Sequence, residues 1–148
     1  MIPIQNTKTL IMVPPELKDT GDYTTNNYVD TLGWDHLRVL WIVGTLDTTI
    51  GSTAEGSAPK VEECDTTDGT YTDITSAALA DSIAATEDDK LFCIDVDLHG
   101  CKRYLEVDPP HAGDGTTGCN LCIIGILSRG ETAPNTAAEA GLTEWIKA

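Results

Sequence analysis

The chain has 148 residues, enough for one domain with its own core and too few for two. Nine Lys and Arg against 24 Asp and Glu give a formal charge of -15, which repels phosphate backbones and argues against nucleic acid as a partner. No apolar run reaches the roughly 18 residues of a membrane span, and the N-terminus lacks the basic, apolar and small-residue succession of a signal peptide, so a soluble protein made in the cytoplasm without a membrane partner is expected.

Aromatics are only 5% of the chain, while Thr, Val, Ile, Gly, Asp and Ala are plentiful, a balance that favours short strands joined by polar turns. Residues 1–19 hold one apolar run, Leu10 to Val13, stopped by Pro14-Pro15, and read as an N-terminal arm carrying an edge strand. A turn from Asp19 to Asp22 opens the domain proper, residues 20–130, and Asn26-Asn27 continues the loop or begins the next strand. Leu37 to Val43 is the best core strand, rich in β-branched and aromatic residues and ending at Gly44. After a Gly, Ser and Ala-rich loop from Gly51 to Ala58, Lys60 to Cys64 and Thr70 to Ile74 form a hairpin around the turn Asp65 to Gly69. Ser76 to Ala85 is a helical turn or a loop.

Leu91 to Leu98 and Cys101 to Val107 flank His99-Gly100 and read as a second hairpin, with Ile94 opposite Leu105 and Phe92 opposite Val107. That register sets Arg103 against Val96 on the apolar face, which demands either an outward-reaching stem or a bulge. A long polar turn from Asp108 to Gly118 precedes Leu121 to Leu127, a continuous apolar strand expected to be central and covered on both faces. Residues 131–148 form a C-terminal tail with a short helix from Ala137, placing Leu142, Trp145 and Ile146 on one side.

Chemistry is harder to find. Cys64, Cys93, Cys101, Cys119 and Cys122 are an odd number, so at least one is free or joined to another chain, and most read as small buried hydrophobes. Cys119 and Cys122 form a C-x-x-C, but on a strand that spacing sends them to opposite faces, and the proposed hairpin register separates Cys93 from Cys101 in the same way. His36, His99 and His111 lack any helical metal-ligand spacing and read as solvated turn residues. Asp95 with Asp97, or Asp88 with Asp89, supplies carboxylate pairs, yet in so acidic a chain such pairs are cheap and read as solvated surface. Asp65 and Asp68 before Gly69 miss the spacing of a calcium loop. No catalytic, cofactor-binding or metal residue is assigned, and a non-enzymatic protein is expected. Trp34 and Trp41 leave one alternative, stacking on sugars in a carbohydrate- or receptor-binding sandwich.

Several segments taken together carry a resemblance. They are residues 28–37 (Tyr28 through Trp34 to Leu37), 60–65, Asp73-Ile74, 85–92, 97–107 (Asp97-Leu98-His99-Gly100-Cys101 to Val107), 112–116 and 126–134. In this order, over about residues 9 to 135, the chain resembles tailed-bacteriophage virion proteins described as capsid decoration, cement or minor head proteins. The resemblance implies an all-β, jelly-roll-like antiparallel β-sandwich with an extended N-terminal arm and C-terminal tail. It also implies a homotrimer on the capsid exterior, bound to the major capsid protein and stabilising the shell. That family would have Ser at Cys64 and a non-cysteine at Cys101, so the cysteines look like a local elaboration.

Overall fold

The structure, a computed structural model, describes residues 6–25, 28–53 and 56–146. Among them are eleven strands and no helix: β1 (Thr7–Lys18), β2 (Gly21–Asp22), β3 (Val29–Asp30), β4 (His36–Val43), β5 (Ile50–Ser52), β6 (Lys60–Cys64), β7 (Thr72–Ala78), β8 (Leu91–Asp97), β9 (Tyr104–Val107), β10 (Pro110–Ala112) and β11 (Cys119–Ser128). Every pairing is antiparallel. One sheet runs β1-β11-β4-β8, a second β3-β9-β6-β7, and a short third β2-β10-β5. With the three short strands of the last sheet set aside, the remaining eight in chain order make sheets 1-8-3-6 and 2-7-4-5, the connectivity of a jelly roll.

The core lies between these two sheets because alternate residues of each strand are apolar and point inward. Strand β4 contributes Leu37, Val39, Trp41 and Val43, β11 contributes Leu121, Ile123 and Leu127, and β8 contributes Ile94 and Val96. Val61, Leu105 and Val107 close the opposite side. Asp47 pins the loop that leads into β11, accepting hydrogen bonds from the Thr116 amide at 2.6 Å and the Thr117 hydroxyl at 3.0 Å. Amide donation from Thr117 and Thr116 holds its pKa down to about 2.

Three expectations are corrected by this topology. Residues 7–18 are the expected edge strand, but over their whole length they belong to the first sheet instead of reaching out as an arm, paired with β11 from Thr7↔Ser128 to Lys18↔Cys119. Pro14-Pro15 does not stop that strand, because register shifts on either side of Val13 bulge it past the missing donors. Met12 lies in the bulge, 2% exposed, with its sulfur 3.0 Å from where a Cβ on Gly125 would stand. Leu91 to Val107 is not a hairpin: β8 pairs with β4, while β9 pairs with β6 and β3 in the other sheet. In a jelly roll the sixth and seventh strands belong to different sheets, and β8 and β9 are those strands. Arg103, a misfit opposite Val96, instead sits outside and grips Asp30 with two hydrogen bonds of 2.8 and 2.7 Å.

Smaller differences follow. The hairpin β6–β7 is present, but its loop runs from Asp65 to Tyr71, and β7 continues to Ala78 where a helical turn or loop was an option. The expected tail helix is a single turn. Thr136 and Glu139 form the start of a cap, with the Glu139 amide donating to the Thr136 hydroxyl at 3.2 Å. Gly141, at φ +74°, then ends it against β1, where a Cβ would collide with the Thr9 carbonyl. The Thr9 amide bonds the Ala140 carbonyl at 2.8 Å. The Asn26-Asn27 loop lies outside the described residues.

If β1 is structural, Met12→Ala will lower stability by about 2–5 kcal/mol, whereas Ile11→Ala, at a 54% exposed position, will cost under about 0.5 kcal/mol. Urea unfolding midpoints check this, and equally small effects at both positions would return residues 7–18 to the status of an arm.

Candidate functional site

The two sheets turn unlike faces outward. On the first sheet the register stacks outward side chains in rows. Ile11, Ile124, Leu40 and Cys93 form one row, and Cys122, Ile42 and Leu91 the next. Leu91 is 68% exposed and Ile42 38%, while Leu40, Cys122 and Ile124 are half-buried by their neighbours. Leu17, 56% exposed, flanks a hollow that reaches Ile42 and Cys122. Further along the strands the rows become polar. Thr9, Ile126, Arg38 and Asp95 come next, followed by Thr7, Ser128, His36 and Asp97. Arg38 neutralises Asp95 through two hydrogen bonds, 2.7 and 2.9 Å, and lowers its pKa. The apolar rows therefore contain no charge, on a chain carrying -15.

This corrects the reading of β11 as covered on both faces: it is central, but only its inner face is fully buried. The signal was present in the sequence. A strand with one solvated face alternates apolar and polar residues, and here Leu40, Ile42, Ile124 and Ile126 occupy the positions that should be polar.

The second sheet presents the opposite character. Glu62 and Glu106 sit directly opposite each other on β6 and β9, an unfavourable like-charge pair. Burial and then the charges of Glu62 and Asp108 raise the pKa of Glu106. Burial also raises that of Glu62. One cation serves the group: the Lys60 ammonium lies 3.1 Å from Glu62, 2.6 Å from Asp73 and 3.2 Å from Asp108. Tyr28 and Tyr104 meet edge to face at 5.0 Å between ring centres, with the Arg103 guanidinium 5.0 Å from the Tyr104 ring.

The remaining residues singled out in the sequence are dispersed. All five cysteines are thiols, with Cys119 buried inward and Cys122 outward as the strand period requires. The histidines are not simple turn residues, since each meets a carboxylate: His36 is 3.5 Å from Asp95, His99 2.7 Å from Asp97 and His111 2.7 Å from Asp22. Asp95 and Asp97 lie on β8 opposite Arg38 and His36 of β4. Among the described residues, no three His, Cys, Asp or Glu side chains are grouped to hold a metal ion. Trp41 is fully buried and cannot stack on a sugar, and the half-buried Trp34 ring packs against Gly130.

Comparison with known proteins adds little. No protein-family model matches the chain. No curated protein matches it. Among solved structures it is similar to the crystal structure of the SPBc2 prophage-derived protein YomS, with a TM-score of 0.43 and 14% identity over 82% of this chain and 91% of that one. A likeness at that level transfers no function. None of these comparisons assigns the chain to the decoration-protein family that residues 9–135 resemble.

The Glu62 and Glu106 pair gives a signed pH effect. A carboxyl whose folded pKa is raised destabilises the fold wherever it is ionised and is neutral in effect below its unfolded value, about 4.3. Glu106→Gln is therefore expected to raise the melting temperature at pH 7, and the gain should vanish as pH falls to about 4. Thermal melts of the two proteins across that range check it.

Proposed function

We propose that this chain is a structural protein of a tailed-phage virion that binds the outer surface of the capsid, with the major capsid protein as its partner. The observation that carries the reading is the pair of uncharged apolar rows on the outer face of the first sheet of an otherwise strongly acidic molecule. Apolar surface of that kind marks protein contact, while the acidic second sheet would remain hydrated on the particle exterior. The segments resembling decoration proteins support the capsid as the surface involved.

Magnitudes favour a multivalent arrangement. Four strands about 4.8 Å apart and two rows of side chains about 7 Å apart cover about 260 Å², a third of the roughly 800 Å² that each partner contributes to a standard interface. At about 25 cal/mol per Å² the gross gain is at most about 7 kcal/mol, and association consumes about 4–15 kcal/mol. One copy is thus a weak foothold. A trimer would make three such footholds act together, and trimerisation is part of this proposal.

Purified protein is expected to bind undecorated capsids saturably in co-sedimentation. Leu91→Glu or Ile42→Glu should weaken that binding by about 30-fold or more while leaving the melting temperature nearly unchanged, as loss of an interface hot spot worth about 2 kcal/mol requires. Absence of saturable binding by the unaltered protein would remove the reading.

A further inference from the structure

Beyond a face, the first sheet offers an edge. Its β1 side is occupied by the C-terminal tail through the Thr9 to Ala140 hydrogen bond. In the second sheet, β3 has two residues, and β7 is broken by a register shift with Ser76 at φ +69°. Strand β8 alone among these outer strands is both long and regular. Its backbone polarity follows from its neighbours: the Val43 amide bonds the Lys90 carbonyl, and the Leu98 amide bonds the Asp35 carbonyl, each at 3.0 Å. Antiparallel pairing alternates, so Phe92, Ile94 and Val96 exchange hydrogen bonds with β4, while Leu91, Cys93 and Asp95 aim their amides and carbonyls away from it.

We propose that the outer edge of β8 is a docking site for an extended, basic segment of a partner protein, which adds to the sheet as a fifth strand. The side chains beside that edge specify the occupant. Leu91 and Cys93 call for apolar neighbours on the outer face, and Asp95 and Asp97, whose oxygens keep lone pairs beyond their contacts with Arg38 and His99 on a chain carrying -15, for basic ones. Strand β4 satisfies the same four residues from its own side with Ile42, Leu40, Arg38 and His36, in that order. An incoming antiparallel strand needs the same alternation, basic-x-basic-x-apolar-x-apolar. Its intervening side chains would turn toward a hollow of about 370 Å³ floored by Phe92, Leu79 and Ala84 and rimmed by Asp81 and Glu87. A second copy of β8 is disfavoured, because two-fold pairing centred on Ile94 would set Asp97 against Leu91 and Asp95 against Cys93 and offer neither carboxylate a cation. The main-chain ladder supplies affinity, and alternate side chains supply selection, as in other strand-addition complexes.

The test uses the full chain, labelled with nitrogen-15, and a synthetic acetylated and amidated peptide, Lys-Thr-Arg-Val-Leu-Thr-Ile. In the free protein the amides of Leu91, Cys93 and Asp95 should exchange with solvent quickly and those of Phe92, Ile94 and Val96 slowly. Saturating peptide should slow the first three by about tenfold or more. Raising salt from about 50 to about 500 mM should weaken binding, and a peptide with Glu in place of Lys and Arg should give no protection. Cys93→Pro deletes one outward amide without touching a β4 hydrogen bond and should abolish the effect. Asp97→Lys, a fully surface change, should weaken the peptide about tenfold. Slow exchange of Leu91, Cys93 and Asp95 in the free protein, protection mapping to another strand, or equal binding of the acidic peptide would overturn the proposal. Such a failure would leave the outer-face contact with capsids untouched, since no capsid enters the measurement.

Discussion

The pairing of the first long strand with the last is the constraint on which the molecule depends. Strand β11 lies between β1 and β4, so the centre of the first sheet is assembled from residues separated by almost the whole chain. Closing a loop of about 120 residues costs only about 2 kcal/mol more than closing one of about 15, because closure entropy grows with the logarithm of length. Burying Met12 and Val13, each worth about 1.5–3 kcal/mol, offsets that difference. The bulges around Val13 are what make the burial possible, since they let the two prolines pass without leaving a gap in the ladder. The tail then seals the outer side of β1.

The same arrangement explains what could be read from the sequence. Inward faces were legible wherever apolar residues alternate, so β4, β6 and the inner side of β8 were recognisable, and so was the sandwich they imply. Partner choice was not, because alternation says which face is inside and nothing about which strand lies alongside. The β8 and β9 segments have matching apolar faces and a glycine turn between them, and those features suit a hairpin and a crossing between layers equally well. Arg103 was the discriminating residue. A guanidinium on an apolar face is a conflict, and the conflict disappears once β9 moves to the second sheet and Arg103 meets Asp30. A jelly roll and a hairpin at that point were incompatible expectations, and the topology had to give up one of them.

The candidate surface was half legible for a related reason. An unbroken apolar run at Leu121 to Leu127 is the pattern of a strand covered on both sides, and the inference to coverage was sound. What single-chain folding cannot supply is the second cover. In the reading proposed above, the outer apolar rows are the place where the sequence is written for a partner as well as for its own core. The charge distribution agrees with that division: Arg38 cancels Asp95 at the margin of the patch, whereas on the second sheet Lys60 is shared among Glu62, Asp73 and Asp108, and Glu106 has to face Glu62. Stability is given up on the acidic face, and charge is absent from the apolar rows.

Edges are treated with the same economy. Every sheet edge is a template for unwanted pairing, and this fold blunts three of them by different means: a tail hydrogen-bonded to β1 at Thr9, a two-residue β3, and a bulge with a left-handed serine in β7. Strand β8 has only the carboxylates of Asp95 and Asp97, both on its outward face and both at one end. That protection is selective. It repels other acidic strands and offers another copy of itself no cation, while leaving the Leu91 to Cys93 end apolar and the ladder open to a basic chain. A purely defensive edge would place its charges along the whole strand or interrupt it, as β7 does. The asymmetry of β8 therefore has the form of a specificity filter, and it lies beside the uncharged rows of the same sheet, where Leu91 and Cys93 belong to both surfaces.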